Sequence, residues 1–238
     1  MPSDPRQESI ENAVRRRAFL RADGWRSHPL PAFMQTEFIP GASMAVIDNG
    51  QVAWAKAYGV RQAGLPDPVT EETLFQAASI SKPVAALAAL SLVQDGALAL
   101  DEDVNHYLVS WRIPANHAWQ PRVTLRQLLS HSAGITVDGF PGYASAAPLP
   151  SLTQILDGEK PANTPPILVD TLPGLHFRYS GGGFTILQQV LEDVTSQPFW
   201  QLAEERVLRP LGMLRSTFRC PLPPAWRANT AAGHRADG

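Results

Sequence analysis

The chain has 238 residues, 44% of them hydrophobic and 18% charged, with a formal net charge of -2. That is enough for one large or two small domains around a substantial core, and the near-neutral balance gives no global pull toward nucleic acid or an anionic membrane. The single cysteine, Cys220, excludes an intrachain disulfide and a cysteine-based zinc site, and the six histidines are scattered without ligand spacing, so no metal or other cofactor is expected.

The opening residues, Met1 to Glu8, are polar and no apolar run of signal length follows, which points to a cytoplasmic protein. No stretch reaches the roughly 18 apolar residues of a membrane span. From Gln7 to about Asp23, Ile10, Val14, Ala18, Phe19 and Leu20 fall near one face, as in an amphipathic helix stopped by Gly24. Arg15, Arg16, Arg17 and Arg21 read as its solvated face. After a proline-bearing link from His28 to Pro40, the runs Ala42 to Ile47 and Gln51 to Gly59 flank Asp48-Asn49-Gly50 and predict a β-hairpin. Glycine and proline break any periodicity between Val60 and Thr73.

The run from Val84 to Leu92 is filled with alanine and leucine and carries no charge until Asp95 and Gly96 end it, so it predicts a helix buried on most sides. Further on, Thr124 to His131 reads as a short helix with Thr124 at its N-cap and Gly134 as its stop. The region 137–173 is rich in proline, glycine, alanine and serine, with a weak helix around Leu152 to Leu156. A helix from about Thr185 to Thr195 turns Leu187, Val190, Leu191 and Val194 inward, and another runs from Phe199 to about Arg209. The expected organisation is 1–75 as the N-terminal helix and hairpin, 76–220 as a helical domain, and 221–238 as a tail without clear structure.

The chemistry gathers at the start of the Val84 helix. Pro83 is tolerated near a helix start, where a backbone N–H would have no intrahelical partner, and this puts Ser79 at or next to that end. Residues three apart share a face, so the Lys82 ammonium can reach the Ser79 hydroxyl, and a neutral amine can take a proton from a serine. The helix dipole and the Ser79 backbone N–H would favour an oxyanion beside it. Lys56, Lys82 and Lys160 are the only lysines, so a Ser-x-x-Lys here is infrequent by chance, although a solvated helix start has the same pattern. Tyr179, just before Gly181-Gly182-Gly183, is a second candidate, either as a phenol relaying the serine proton or as a half-buried tyrosine ending a loop. The glycines are no phosphate loop, because no Gly-Lys-Ser/Thr follows. A Ser-His-Asp site would need His131, His176 or His234 as base, yet no Gly-x-Ser-x-Gly occurs, and His131 in Ser130-His131-Ser132 is expected to hold a structural hydrogen bond. Asp101 and Asp103 are expected to cap or turn the chain.

These residues resemble the serine hydrolases of the penicillin-binding protein and class C β-lactamase type, which include β-lactamase-related carboxylesterases. The resemblance is carried by Pro40-Gly41-Ala42 with the hairpin to Tyr58-Gly59-Val60, and by Thr73-Leu74-Phe75 through Ser79-Ile80-Ser81-Lys82. It continues in Asp95 to Asp101, Thr124 to Gly134, Pro173-Gly174 with Phe177-Arg178-Tyr179-Ser180, and Pro210-Leu211-Gly212-Met213, in family order over roughly residues 35 to 220. It implies an α+β, β-lactamase/transpeptidase-like fold: an antiparallel sheet covered by helices plus a mostly helical domain, the C-terminal strands being absent here. It implies Ser79 as acylated nucleophile, Lys82 as activator and Tyr179 as general acid–base partner. The family's Tyr-x-Asn is here Tyr179-Ser180-Gly181, so Gly181, the substrate-binding position, lacks the amide that would contact a β-lactam or peptide. A Lys- or His-bearing strand expected well after Met213 does not occur, and with it goes the second oxyanion donor. The expectation is a serine acyl hydrolase taking a small-molecule ester or amide, with esters favoured. A β-lactamase or D-amino-acid peptidase is the alternative, as is an incompetent fragment or binding module, and a C-terminal piece or second subunit is an implied partner.

Overall fold

A computed structural model of the chain describes residues 5–14, 27–144 and 147–234. They form two compact units, Met1–Ala77 with Arg219–Gly238, and Ala78–Phe218. Together they give helices with a small antiparallel sheet, in the α+β class.

The first unit contains α1 (Pro5–Glu11), α2 (Leu30–Thr36), β1 (Gly41–Asp48) and β2 (Gln51–Gly59). The strands pair antiparallel from Gly41 opposite Gly59 to Asp48 opposite Gln51, with one irregularity between Val46 and Ile47. The two-residue turn is Asn49-Gly50, both at positive φ (49° and 75°), the combination whose twist matches that of the strands it joins. Glu11 ties α1 to β2, taking hydrogen bonds from Lys56 Nζ at 2.7 Å and from the Tyr58 hydroxyl at 2.8 Å. Of the helix expected from Gln7 to Asp23, the described part ends at Glu11, and 15–26, with the arginine cluster, lie outside the described residues.

The tail corrects an expectation. Residues 221–238 were to carry no clear structure, yet they contain a short helix, Pro224–Arg227, and a parallel bridge between Leu74 and Thr230. Asn229 accepts from the Thr73 hydroxyl at 3.0 Å and donates to the Glu72 carbonyl at 2.9 Å. Backbone bonds run beside them, from the Leu74 N–H to the Asn229 carbonyl at 2.9 Å and from the Ala231 N–H to the Leu74 carbonyl at 2.8 Å, so a segment rich in proline and alanine is ordered without any periodicity of its own.

The second unit begins with a tight turn, Ala78–Ile80, followed by α3 (Ser81–Gln94), α4 (Leu125–Leu129), α5 (Leu152–Asp157), α6 (Gly181–Thr195) and α7 (Phe199–Ala203). α7 runs on through a wider turn, Glu204–Leu208. Thr124 and Ser151 form reciprocal caps with Gln127 and Gln154, which is why α4 and α5 start where they do. The core joins Ala89 and Leu92 of α3 to Leu125 and Leu128 of α4, Leu156 of α5, and Ile186, Leu187, Val190 and Leu191 of α6. α3 is apolar all round but is not buried on most sides. Ala85, Ala88, Ala89 and Leu92 face inward, while Leu87 and Leu90 are 48% and 41% exposed. Among the described residues no helix is long and apolar enough to cross a membrane.

Candidate active site

Ser79, Lys82 and Tyr179 all belong to the second unit. Ser79 lies in the tight turn that leads into α3, preceded by Ala78 at φ 45°, and its side chain is exposed. Lys82 is in the first helical turn, and its Nζ lies 2.9 Å from Ser79 Oγ, as the three-residue spacing requires. The Tyr179 hydroxyl, 100 residues away in sequence, lies 2.7 Å from the same oxygen. Lys82 Nζ also sits 4.9 Å from the centre of the Tyr179 ring and 5.6 Å from that of Phe184. A serine hydroxyl is thus held between an ammonium and a phenol. The Lys82 hydrogen bond first, and then that of Ser79, hold the Tyr179 phenol below its ordinary pKa.

Tyr179 is placed by its neighbours. Arg178 donates to the Gly134 carbonyl at 2.8 Å, the Ile135 carbonyl at 3.1 Å and Asp170 at 2.5 Å. On the other side Ser180 caps α6, its hydroxyl accepting from the Gly183 N–H at 3.0 Å and donating to the Thr136 carbonyl at 2.8 Å. α6 starts at Gly181, four residues before the expected Thr185. A Cβ on Gly182 would meet the Thr136 carbonyl oxygen at 2.8 Å and Ile167 at 2.9 Å, so the glycines serve close packing at a helix start. Gly181 is buried: its N–H goes to the Asp138 carbonyl at 3.0 Å, and a Cβ there would lie 3.0 Å from the Phe140 ring. The Gly182 N–H goes to the Val137 carbonyl at 2.9 Å, so the start of α6 offers no open donor from these groups.

None of the three histidines weighed as bases bonds to Ser79. His176 is exposed, and His234 in the first unit accepts from the Ala63 N–H at 2.9 Å. His131 Nδ1 accepts from the Ser180 N–H at 3.1 Å, the structural bond expected of it. Sequence reasoning missed its ring, whose centre lies 4.5 Å from that of Tyr179 and 5.2 Å from that of Phe184. The phenylalanines on either side of Tyr179 in sequence, Phe177 and Phe184, were the available signal of an aromatic cluster. Asp103 caps Asn105 at 3.0 Å and Asp101 forms a two-pronged pair with Arg126, both structural roles.

The family model described as Beta-lactamase matches residues 30–238. Protein flp of Staphylococcus aureus is 29% identical over 78% of this chain and 36% of its own length. Esterase EstB of Burkholderia gladioli is 31% identical over 73% of this chain and 45% of its own. Among solved structures, an octameric penicillin-binding protein homologue from Pyrococcus abyssi superposes with a TM-score of 0.68 at 27% identity, covering 86% of this chain and 46% of that one. The fold is therefore of the β-lactamase/transpeptidase type, and the chain spans less than half the length of each of these relatives.

Proposed function

The chain belongs to the Beta-lactamase family, whose members are serine hydrolases, and from that premise we propose that it is an acyl hydrolase working through Ser79, Lys82 and Tyr179 on ester substrates. The observation that carries this reading is the sharing of Ser79 Oγ by Lys82 Nζ at 2.9 Å and the Tyr179 hydroxyl at 2.7 Å. In the reactive state Tyr179 is a phenolate kept available by the Lys82 cation. It takes the Ser79 proton as Oγ bonds to the substrate carbonyl carbon. As the tetrahedral intermediate collapses, the C–O bond to the alcohol breaks and the phenol returns the proton to the leaving oxygen. A water then gives its proton to the phenolate and attacks the acyl carbonyl, and Ser79 leaves with that proton. The Ser79 N–H supplies one oxyanion donor, and the N–H groups of Gly181, Gly182 and Gly183 at the start of α6 are not the second, since they are occupied.

Esters are favoured over lactams because the Phe140 ring lies against Gly181, presenting carbon where an amide would be needed to hold an acylamino group. The similarity to an esterase supports the same choice. The test is to expose the chain to p-nitrophenyl butyrate and to nitrocefin. An acyl adduct on the peptide containing Ser79 and faster ester turnover support the reading, whereas faster nitrocefin turnover moves it to the β-lactamase alternative. Gly181→Asn, which must displace the Phe140 ring, is expected to shift the ratio toward the lactam. Because the Tyr179 phenol is held below its ordinary value, the ester rate should rise with pH and level off below about 10.

A further inference from the structure

His131 touches the Tyr179 segment in three ways. Its carbonyl accepts from the Arg178 N–H at 2.7 Å, and its Nδ1 accepts from the Ser180 N–H at 3.1 Å, so one residue grips the backbone on both sides of Tyr179. Its ring lies on the phenol ring, with centres 4.5 Å apart and planes tilted by 32°. The Phe184 ring lies 5.2 Å from the His131 ring, centre to centre, and Phe177 meets the His131 ring edge-on at 5.8 Å. His131 is at φ 55°, in the left-handed region that few non-glycine residues adopt and that asparagine and histidine tolerate best.

We propose that His131 is a positioning residue, holding the Tyr179 hydroxyl over Ser79 by a backbone grip on residues 178 and 180 and by ring contact. This rests on the reading that Tyr179 serves Ser79 in acyl transfer. The grip needs Nδ1 as an acceptor, hence a neutral imidazole with its proton on Nε2. Burial, and then the Lys82 cation, hold the ring's pKa below its ordinary value, so the acceptor is kept at neutral pH. The charged or titratable groups around it are Lys82 from α3, and Tyr179 and Arg178 from the gripped segment. Arg178 turns its guanidinium to Gly134, Ile135, Thr171 and Asp170. As pH falls and the ring protonates, Nδ1 becomes a donor facing a donor, and the grip on Ser180 is lost.

The experiment uses the full chain labelled with 13Cζ-tyrosine. There are four tyrosines, and Tyr179→Phe assigns the resonance of interest. His131→Asn keeps an acceptor near the Ser180 N–H and tolerates the left-handed backbone but lacks the ring. His131→Phe keeps a ring and loses the acceptor. In the wild type the Tyr179 phenol should titrate below about 10, and in His131→Phe and His131→Ala it should move back toward that value. With p-nitrophenyl butyrate, kcat should fall about 10- to 100-fold in these two with KM little changed, and His131→Asn should recover most of the loss. Below the ordinary histidine value of about 6.5, the Tyr179 resonance should shift in the wild type and stay still in His131→Asn. An unchanged Tyr179 titration in folded His131→Phe overturns the proposal. Where His131→Ala fails to fold, the comparison of His131→Asn with His131→Phe decides. A wild-type chain that turns over no ester overturns the functional reading, while the Tyr179 titration still decides this one.

Discussion

In the hairpin unit α1 is fastened to the sheet by charge, with Glu11 receiving Lys56 and Tyr58, and Arg6 meeting Asp48 at 2.8 Å, all at partly exposed positions. In the helical unit the segment bearing Tyr179 leads straight into α6, whose Ile186, Val190 and Leu191 are fully buried in the core, and it is held by the Arg178 N–H to the His131 carbonyl and the Ser180 N–H to His131 Nδ1. Exposed ion pairs contribute little and fade with salt and acid, whereas truncating a buried aliphatic side chain costs roughly 2–5 kcal/mol. The contrast teaches that the geometry around Ser79 is a property of the helical unit's packing, so changes to that packing should reach the site and changes to the hairpin's charges should not.

The largest effect is expected at the centre. Ser79→Ala should leave no adduct on its peptide by mass spectrometry after p-nitrophenyl butyrate, and undiminished labelling would move the nucleophile elsewhere. Lys82→Ala and Tyr179→Phe should each lower ester turnover by about 10²- to 10⁴-fold with an unchanged circular dichroism spectrum. Next comes the packing behind Tyr179. Gly182→Ala forces a Cβ against the Thr136 carbonyl and Ile167, and should destabilise by about 1–3 kcal/mol in thermal or urea unfolding. Gly183→Ala meets Ile135 and Ser180 only at 3.7 and 3.8 Å and should be neutral or slightly stabilising, as alanine favours a helix. Equal losses in the two would show that the glycines are there for some reason other than close approach.

The smallest effect belongs to the hairpin unit. Hydrogen bonds from Lys56 first, then Gln7 and Tyr58, lower the Glu11 pKa to about 2. A depressed carboxylate stabilises above its unfolded value, and this contribution fades as pH falls from the carboxylate's ordinary range toward 2. Glu11→Gln should therefore lower the melting temperature slightly at pH 7, with the difference from wild type closing in acid. The Tyr179 titration should be the same in both proteins, and a shift there would break the contrast between the units.

Much of this was legible in sequence because it rests on local chemistry. Asn49-Gly50 states its turn, Thr124 and Gln127 state their cap, and Ser79 and Lys82 meet because three residues make nearly one helical turn. The start of α6 was hidden because glycine is a poor helix former, and only the tertiary neighbours explain two of the three: Phe140 and the Asp138 carbonyl crowd Gly181, and the Thr136 carbonyl and Ile167 crowd Gly182, while Gly183 has room for a side chain. The ordered tail and the hydrogen-bonded grip of His131 were hidden for another reason: several of their partners are backbone groups, such as Leu74 for the tail and the Arg178 and Ser180 N–H groups for His131, which every residue has and no side-chain pattern marks. The outward face of α3 was misread because a helix apolar all round reads as buried, whichever side the core occupies.

The occupied first turn of α6 also has a consequence in time. Glycine-rich stretches ordinarily exchange their amide hydrogens with solvent quickly, since nothing shields them. Here the Gly181, Gly182 and Gly183 N–H groups are bonded to Asp138, Val137 and Ser180, and all three residues are buried. Their exchange should require opening of the helical unit's core, which would place the most glycine-dense segment of the chain among its slowest amides.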